Sequence, residues 1–384
     1  MHFLSVTWIA WLLGVVGLFW LLPARQRHAF LVLATAAFLA AHSLPSLILL
    51  IGFTAATVMA TRPGARQRLR IWAAALAMLT ALVGFKLLST PSGSAVQDLA
   101  IPLGLSYYTF RCLHVLFDTL RGTARPVTPP QLVAYLFFLP TIVIGPIHRM
   151  PAFLRDRLDH CWTAAAISGG LERVVIGYFK IAVVGNFLVA GQLGAAIRGV
   201  EETSPQLAAY LAIVQIGLNL YVQFSGFSDV AIGFARLLGY RVIENFDWPY
   251  LARNIGDFWR RWHISLASWS RDYVYMPLLG LTRNPYWATI ACFLVIGLWH
   301  EVSLRYAAWG LYHGLGIIGF QQWQALKRRL NLPQARPGAM RVLAQTLSVA
   351  LTVHYVWLGF ALVRQPDLAA AAALLRKLVG VGGY

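Results

Sequence analysis

The residue best placed for chemistry is His300. Seven residues with no charge and no strong polar group, Phe293 to Trp299, lead straight into it, and Glu301 follows. An imidazole with an ordinary pKa of about 6.5 remains an unprotonated base when partly desolvated. Such a base suits removal of a proton from a hydroxyl as that hydroxyl attacks an activated acyl group. The plainer reading is a packed, hydrogen-bonded histidine, which a lone His in an apolar run more often is. No metal role is expected: the pair His300 and Glu301 opens like HExxH, but position 304 is Leu. The chain also lacks a Gly-x-Ser-x-Gly elbow, a phosphate loop and a dinucleotide fingerprint.

A second concentration lies just upstream. From Asp257 the chain runs through Trp259, Arg260, Arg261, Trp262 and His263, then reaches Trp269, Arg271, Asp272 and Tyr273. Helical spacing puts Asp257 one turn from Arg261, and Arg260 one turn from His263 and Ile264. One reading is an interfacial amphipathic helix, with Trp in an aromatic belt and Arg meeting lipid phosphates. The other is a pocket wall whose guanidinium groups grip an anionic donor in bidentate fashion. A third group comprises Gln223 to Asp229, which mixes Ser and Gly into an apolar run, and Glu244 to Tyr250. Its plain reading is close helix packing with hydroxyls bonding across helices. Asp229 wants a partner there, with the Arg residues that follow as candidates, and Pro249 should end a helix or start a re-entrant turn.

The elements that position these residues follow from composition. Of 384 residues 58% are apolar and 12% charged, with mean hydropathy +0.62. A soluble domain carries about 25% charged residues. The 32 Lys+Arg against 14 Asp+Glu leave a net +18, yet these charges are too sparse among apolar runs for a nucleic-acid partner to be expected. The composition therefore predicts an all-α, polytopic membrane protein with the lipid bilayer as its surroundings. Apolar runs at 3–22, 29–41, 45–60, 71–89, 99–120, 131–147, 174–197, 206–223, 286–299, 303–323, 341–363 and 368–382 suggest 9–12 membrane segments in a single membrane domain, 1–384. Ser43 and Pro45 break the second and third runs into a hairpin. The clusters at Arg25–His28, Arg62–Arg70 and Lys327–Arg329 read as cytoplasmic, which places the N-terminus outside. Between about 120 and 300, charged and apolar stretches interleave so closely that tilted or re-entrant segments are expected. Residues 229–301 hold six of the 14 acids, seven Arg and six of the 14 Trp. Ionisable residues at membrane depth are costly and tend to mark function. Cys112, Cys161 and Cys292 show no framework spacing, so free thiols are expected.

These segments resemble the membrane-bound O-acyltransferase family, in particular its bacterial branch that O-acetylates alginate and other exopolysaccharides. The resemblance rests on Tyr221 to Asp229, Glu244 to Phe246, Pro249 to Arg253, Phe258 to Leu266, Arg271 to Tyr273 and Gly297 to His300. Upstream, Ser106 to Phe110, Asp118 with Arg121 and Gly122, Gly145 to Ile147 and Gly177 to Lys180 continue it, so that it spans about 100–320. It implies tilted helices around a central tunnel and transfer of an acyl group, through the membrane core, to a hydroxyl acceptor. His300 matches the family's catalytic histidine and His263 its second characteristic polar position.

On that basis His300 is expected as general base and His263 as a donor toward the thioester's developing oxyanion. Arg260, Arg261 and Arg271 would shape the donor's mouth, held by Asp257 and Asp272, with Tyr273 beside them. Trp262 and Trp299 would wall the tunnel against water. The expected co-substrate is an acyl thioester, acetyl-CoA or an acyl carrier, at a bacterial inner membrane. A periplasmic SGNH-type acyltransferase would receive the group. Glu301 departs from the small residue usual after the histidine. The segment from Tyr275 to Gly280 lies between the branches, and the chain is closer in size to relatives that move D-alanine onto teichoic acids. A D-alanyl transferase is thus the rival enzyme, and a transporter or flippase the rival of another class.

Overall fold

The computed structural model describes residues 6–88, 102–123, 128–143, 145–155, 162–331 and 338–380. Among these the chain is helical, and the one extended pairing is an isolated antiparallel bridge between Phe246 and Trp262. Five helices are long and apolar enough to cross a membrane: Leu44–Thr61, Gln67–Leu88, Ala164–Val200, Pro205–Leu237 and Ala339–Arg364. Trp8–Leu21 and Pro285–His300 are shorter apolar helices. The all-α, multi-pass architecture expected from composition is the one the chain adopts. It divides into two compact units, Met1–Tyr178 with Gly226–Glu244, and Phe179–Ser225 with Asn245–Tyr384.

The first unit opens with α1 (Val6–Leu21), α2 (Ala24–His42), α3 (Leu44–Thr61), α4 (Gln67–Leu88) and α5 (Leu105–Leu120). Ser43 makes the α2–α3 hairpin, because its side chain accepts from the Ser46 N–H at 3.4 Å while Pro45 sits in the first turn of α3. Helix α4 buries Ile71, Ala75, Met78 and Leu82 at helical spacing, while Leu69, Trp72 and Leu76 on its other faces are exposed. Apolar side chains facing outward mark a helix whose surroundings are lipid.

The run 131–147, expected as one membrane segment, is broken. Helix α6 (Pro129–Leu136) stops before a 3₁₀ turn at Leu139–Thr141, and α7 (Met150–Arg155) follows. Pro140 supplies no N–H to continue a helix, and Gly145 takes φ +155, a backbone angle that favours glycine.

Helix α8 (Ala164–Phe179) continues through a widened π-type stretch, Lys180–Leu193, into α9 (Gly194–Val200), and α10 (Pro205–Leu237) returns. Within the first unit, α8 and the C-terminal part of α10 cross at backbone contact. A Cβ on Gly177 would stand 2.7 Å from the Gly226 oxygen, and one on Gly233 2.8 Å from the Gly170 oxygen. The close packing read from the Ser and Gly cluster is thus present. At this crossing Asp229 finds a partner upstream of it in the chain. Arg173 on α8 donates to it from Nε at 2.7 Å and reaches Glu244 at 2.5 Å. The crossing brings together two residues 56 positions apart in the chain.

In the second unit the segment after Asn245 is short-stepped: α11 (Ile255–Arg261), α12 (Ile264–Ser270), a π-type turn at Arg271–Tyr275 and α13 (Met276–Thr282). Pro249 begins a 3₁₀ turn, Pro249–Leu251. The long hairpin α14 (Pro285–His300) and α15 (Leu304–Arg329) follows, then α16 (Ala339–Arg364) and α17 (Leu368–Leu378). Helices α14 and α15 also meet at glycine: a Cβ on Gly297 would lie 2.2 Å from the Tyr306 oxygen, and one on Gly310 2.5 Å from the Phe293 oxygen. Of the three cysteines, Cys112 and Cys292 are buried free thiols, and Cys161 lies outside the described residues.

Candidate functional site: two histidines and an arginine-rimmed cavity

The helical spacing of Arg260 and His263 does not survive folding. Helix α11 ends at Arg261, Trp262 is extended (φ −105, ψ 126) and His263 is left-handed (φ 44, ψ 52). A left-handed non-glycine residue costs of order 1–3 kcal/mol and persists only where its surroundings fix it. Here they do. The Asp247 N–H donates to the Arg261 oxygen at 3.0 Å and the Ile264 N–H to the Asn245 oxygen at 2.9 Å, flanking the Phe246–Trp262 bridge. The Trp262 indole is buried against Phe246, Phe258 and Phe360 at 5.0–5.4 Å between ring centroids. Asp257 keeps its expected relation, accepting from Arg260 at 3.2 Å and Arg261 at 3.1 Å.

His263 is 1% exposed. Its Nδ1 lies 3.3 Å from Asn245 Oδ1, which also accepts from the Ser265 N–H at 3.3 Å and the Ser265 hydroxyl at 2.7 Å. A backbone N–H can only donate, so the amide oxygen is the atom facing this cluster, and His263 donates from Nδ1. Nε2 then carries the lone pair, and it has no hydrogen-bond partner among the described residues. Burial, and secondarily charge on His300, hold the His263 imidazole well below the ordinary histidine range, so it is neutral at working pH. Nε2 can therefore donate toward an oxyanion only after gaining a proton.

His300 closes α14 and is exposed. The glycine contacts with α15 set where it ends up, with its ring 5.7 Å from Tyr306 and 5.9 Å from Trp309. Trp299 lies between the histidines, its ring 4.5 Å from His300 and 6.0 Å from His263. Glu301 is turned away into an ion pair with Arg305 at 2.9 and 3.0 Å.

Residues of α11, α12, α14 and α15 line a cavity of about 350 Å³. Its walls are apolar, with Trp259, Ile264, Cys292, Phe293 and Ile296 among them, and Arg260 and Arg271 stand on it as cations. Neither histidine is among its lining residues, although the segments that carry them contribute to its walls. Ile264 is the neighbour of His263, and Phe293, Ile296 and His300 fall on one face of α14 at i, i+3 and i+7. Arg271 is held by Asp272 at 2.7 Å.

Of the residues singled out by sequence, Arg260 and Arg271 line this cavity. Arg261, Asp257 and Asp272 serve as ion-pair partners at its margin. Trp262, Trp299 and Tyr273 are buried, Tyr273 with its ring 5.1 Å from Trp269. From sequence alone Cys292 and Asn245 carry no site role. A lone apolar residue carries no such signal, and Asn245, between Glu244 and Phe246 with Asp247 following, is one polar group among charged neighbours. Among the described residues, no group of three or more His, Cys, Asp or Glu side chains gathers where a metal could be held.

The family model for membrane-bound O-acyltransferases matches residues 86–351, well over half of the chain. A probable alginate O-acetylase of Pseudomonas aeruginosa is 30% identical over 296 residues, which cover 75% of this chain and 54% of that protein. The chain thus spans a little over half the length of the alginate relatives it matches. A teichoic acid D-alanyltransferase of Streptococcus thermophilus is 27% identical over 70% of each chain. A peptidoglycan O-acetyltransferase of Helicobacter pylori is 26% identical over 96% of this chain and 78% of its own. With a family match over most of the chain, including the segment from His263 to His300, the chain belongs to the membrane-bound O-acyltransferase family.

Proposed function

We propose that this protein transfers an acyl group, acetyl in the first instance, from a cytoplasmic thioester to a hydroxyl acceptor at the bacterial inner membrane, for acylation of cell-surface polysaccharide. The observation that carries the reading is the cavity: two guanidinium groups stand on a largely apolar chamber lined by α11, α12 and α14, the segments that flank His263 and end at His300. Arg260 and Arg271 suit the phosphates of a donor such as acetyl-CoA, and the apolar walls exclude the water that would hydrolyse a thioester.

In the proposed step His300 takes the proton of the acceptor hydroxyl as its oxygen attacks the thioester carbonyl. The tetrahedral oxyanion collapses, the C–S bond breaks, and the thiolate leaves and takes up a proton. His263 supports the oxyanion once its Nε2 is protonated, a charge the oxyanion itself stabilises in a dry site. A periplasmic SGNH-type acyltransferase is the proposed recipient of the acyl group. The test is purified protein in liposomes with labelled acetyl-CoA and an oligosaccharide acceptor: label should appear in ester linkage, and undiminished transfer by His300→Ala would sink the mechanism.

A second reading is transfer of D-alanine from a carrier-protein thioester. It is favoured by coverage, since the D-alanyltransferase relative aligns along 70% of its length against 54% for the alginate relative. Protein that accepts a charged carrier protein and ignores acetyl-CoA would establish it over the first. Flux of an acceptor without thioester consumption would instead identify a transporter.

A further inference from the structure

A second cavity in the same unit, about 360 Å³, has no part in the acyl-transfer reading. It lies between the C-terminal half of α15 and the middle of α16. Gly316, Phe320, Trp323 and Lys327 line it from one face of α15, and Ser348, Leu351, Thr352 and Tyr355 from one face of α16. The spacings, 4, 3 and 4 residues on α15 and 3 to 4 on α16, are those of helix faces. Gly316 makes the room: a Cβ there would lie 2.3 Å from the Tyr355 hydroxyl, which instead donates to the Tyr312 oxygen at 2.6 Å.

Two cations stand on this cavity, Arg253 just before α11 and Lys327 in the last turn of α15. Neither side chain forms an ion pair with a carboxylate among the described residues. Asp257, near Arg253, is engaged by Arg260 and Arg261, and Lys327 has only the face of Trp323, 5.6 Å from the ring centroid. The flank is of the opposite character. Leu343, Leu347 and Leu351 form an i, i+4, i+8 stripe on α16, exposed by 53%, 60% and 74%, and Leu351 is also a wall of the cavity. The cavity therefore adjoins exposed apolar surface through Leu351, and two cations and an interfacial-type indole are among its lining residues.

We propose that this cavity is a binding site for an anionic phospholipid. The phosphate lies between Arg253 and Lys327, the glycerol end reaches the Ser348 and Thr352 hydroxyls, and the acyl chains run along the leucine stripe. Basic pockets between membrane helices are suited to anionic headgroups, and Trp323 sits where indoles anchor at the membrane–water boundary. A water-soluble phosphate would gain the two cations but nothing from the leucine stripe.

The test uses the full chain in nanodiscs of equal parts phosphatidylglycerol and phosphatidylcholine, extracted gently and weighed by native mass spectrometry. Arg253→Gln/Lys327→Gln is expected to lower the phosphatidylglycerol retained per protein roughly 25-fold, at about fivefold per cation. Arg328→Gln/Arg329→Gln, which removes the same charge from the neighbouring surface, should retain the lipid. Equal loss in both double variants, or loss in neither, would overturn the proposal. So would displacement of the lipid by excess inorganic phosphate, or a pocket variant that keeps its lipid while its KM for acyl thioester rises. A second readout is independent of extraction: phosphatidylglycerol nanodiscs should raise the unfolding temperature of the parent above that in pure phosphatidylcholine, and should not raise that of the pocket variant. An equal rise in both would count against the site.

Discussion

His263 and Asn245 fix one another: the imidazole Nδ1 and the amide Oδ1 lie 3.3 Å apart, and the Ser265 N–H and hydroxyl hold the same oxygen. Asn245 is wholly buried, and its replacement removes the acceptor that three donors share. Asn245→Ala should cost about 2–4 kcal/mol of stability, read as a lowered unfolding temperature. In the folded fraction kcat should fall while KM for the donor stays near the parent's.

The same burial gives a pH signature. The His263 pKa is depressed in the folded protein, so below about pH 6.5 the unfolded chain binds a proton that the folded chain refuses. Its contribution to stability is complete above that pH and is lost as pH falls toward the folded value. His263→Gln should therefore show a shallower fall in unfolding temperature between about pH 6.5 and 5 than the parent. An unchanged slope would mean that His263 does not sit neutral in its pocket.

His300 is exposed, so its removal should separate chemistry from folding. His300→Ala should keep an unfolding temperature close to the parent's while acyl transfer drops between about a hundredfold and ten-thousandfold. The measurement is single-turnover transfer from labelled thioester.

The two cavity arginines should act on donor binding. Arg260→Ala and Arg271→Ala are each expected to raise KM for acetyl-CoA about tenfold, the scale of a charge-assisted hydrogen bond to phosphate. An acyl thioester lacking phosphates should show no such difference, and equal effects on both donors would place these side chains elsewhere in the mechanism.

Gly297 tests how His300 is placed. A Cβ there would meet the Tyr306 backbone oxygen at 2.2 Å, and backbone cannot yield as a flexible side chain can. Gly297→Ala should destabilise by about 1–3 kcal/mol and lower kcat through the shifted end of α14. Gly280→Ala, where a Cβ meets nothing within 4 Å, is the control.

Much of this protein is legible along the chain. Low charge content and apolar runs establish a multi-pass helical protein, because a membrane rewards apolar faces whatever their tertiary partners. Ser43 with Pro45 marks a hairpin because capping and missing N–H groups are local effects. The pair Asp257 and Arg261 was readable because one helical turn fixes it. Tertiary structure decided the rest. Only packing of the Trp262 indole and the strand-like contacts of Asn245 to Asp247 force His263 into a left-handed conformation. That break removes the expected relation of Arg260 to His263 and creates the one to Asn245. Arg173 reaches Asp229 only because glycines let two helices touch. Sequence reports neighbours within a turn; which buried polar atoms satisfy one another across helices is settled by close packing, where an unpaired group costs more than local propensity supplies.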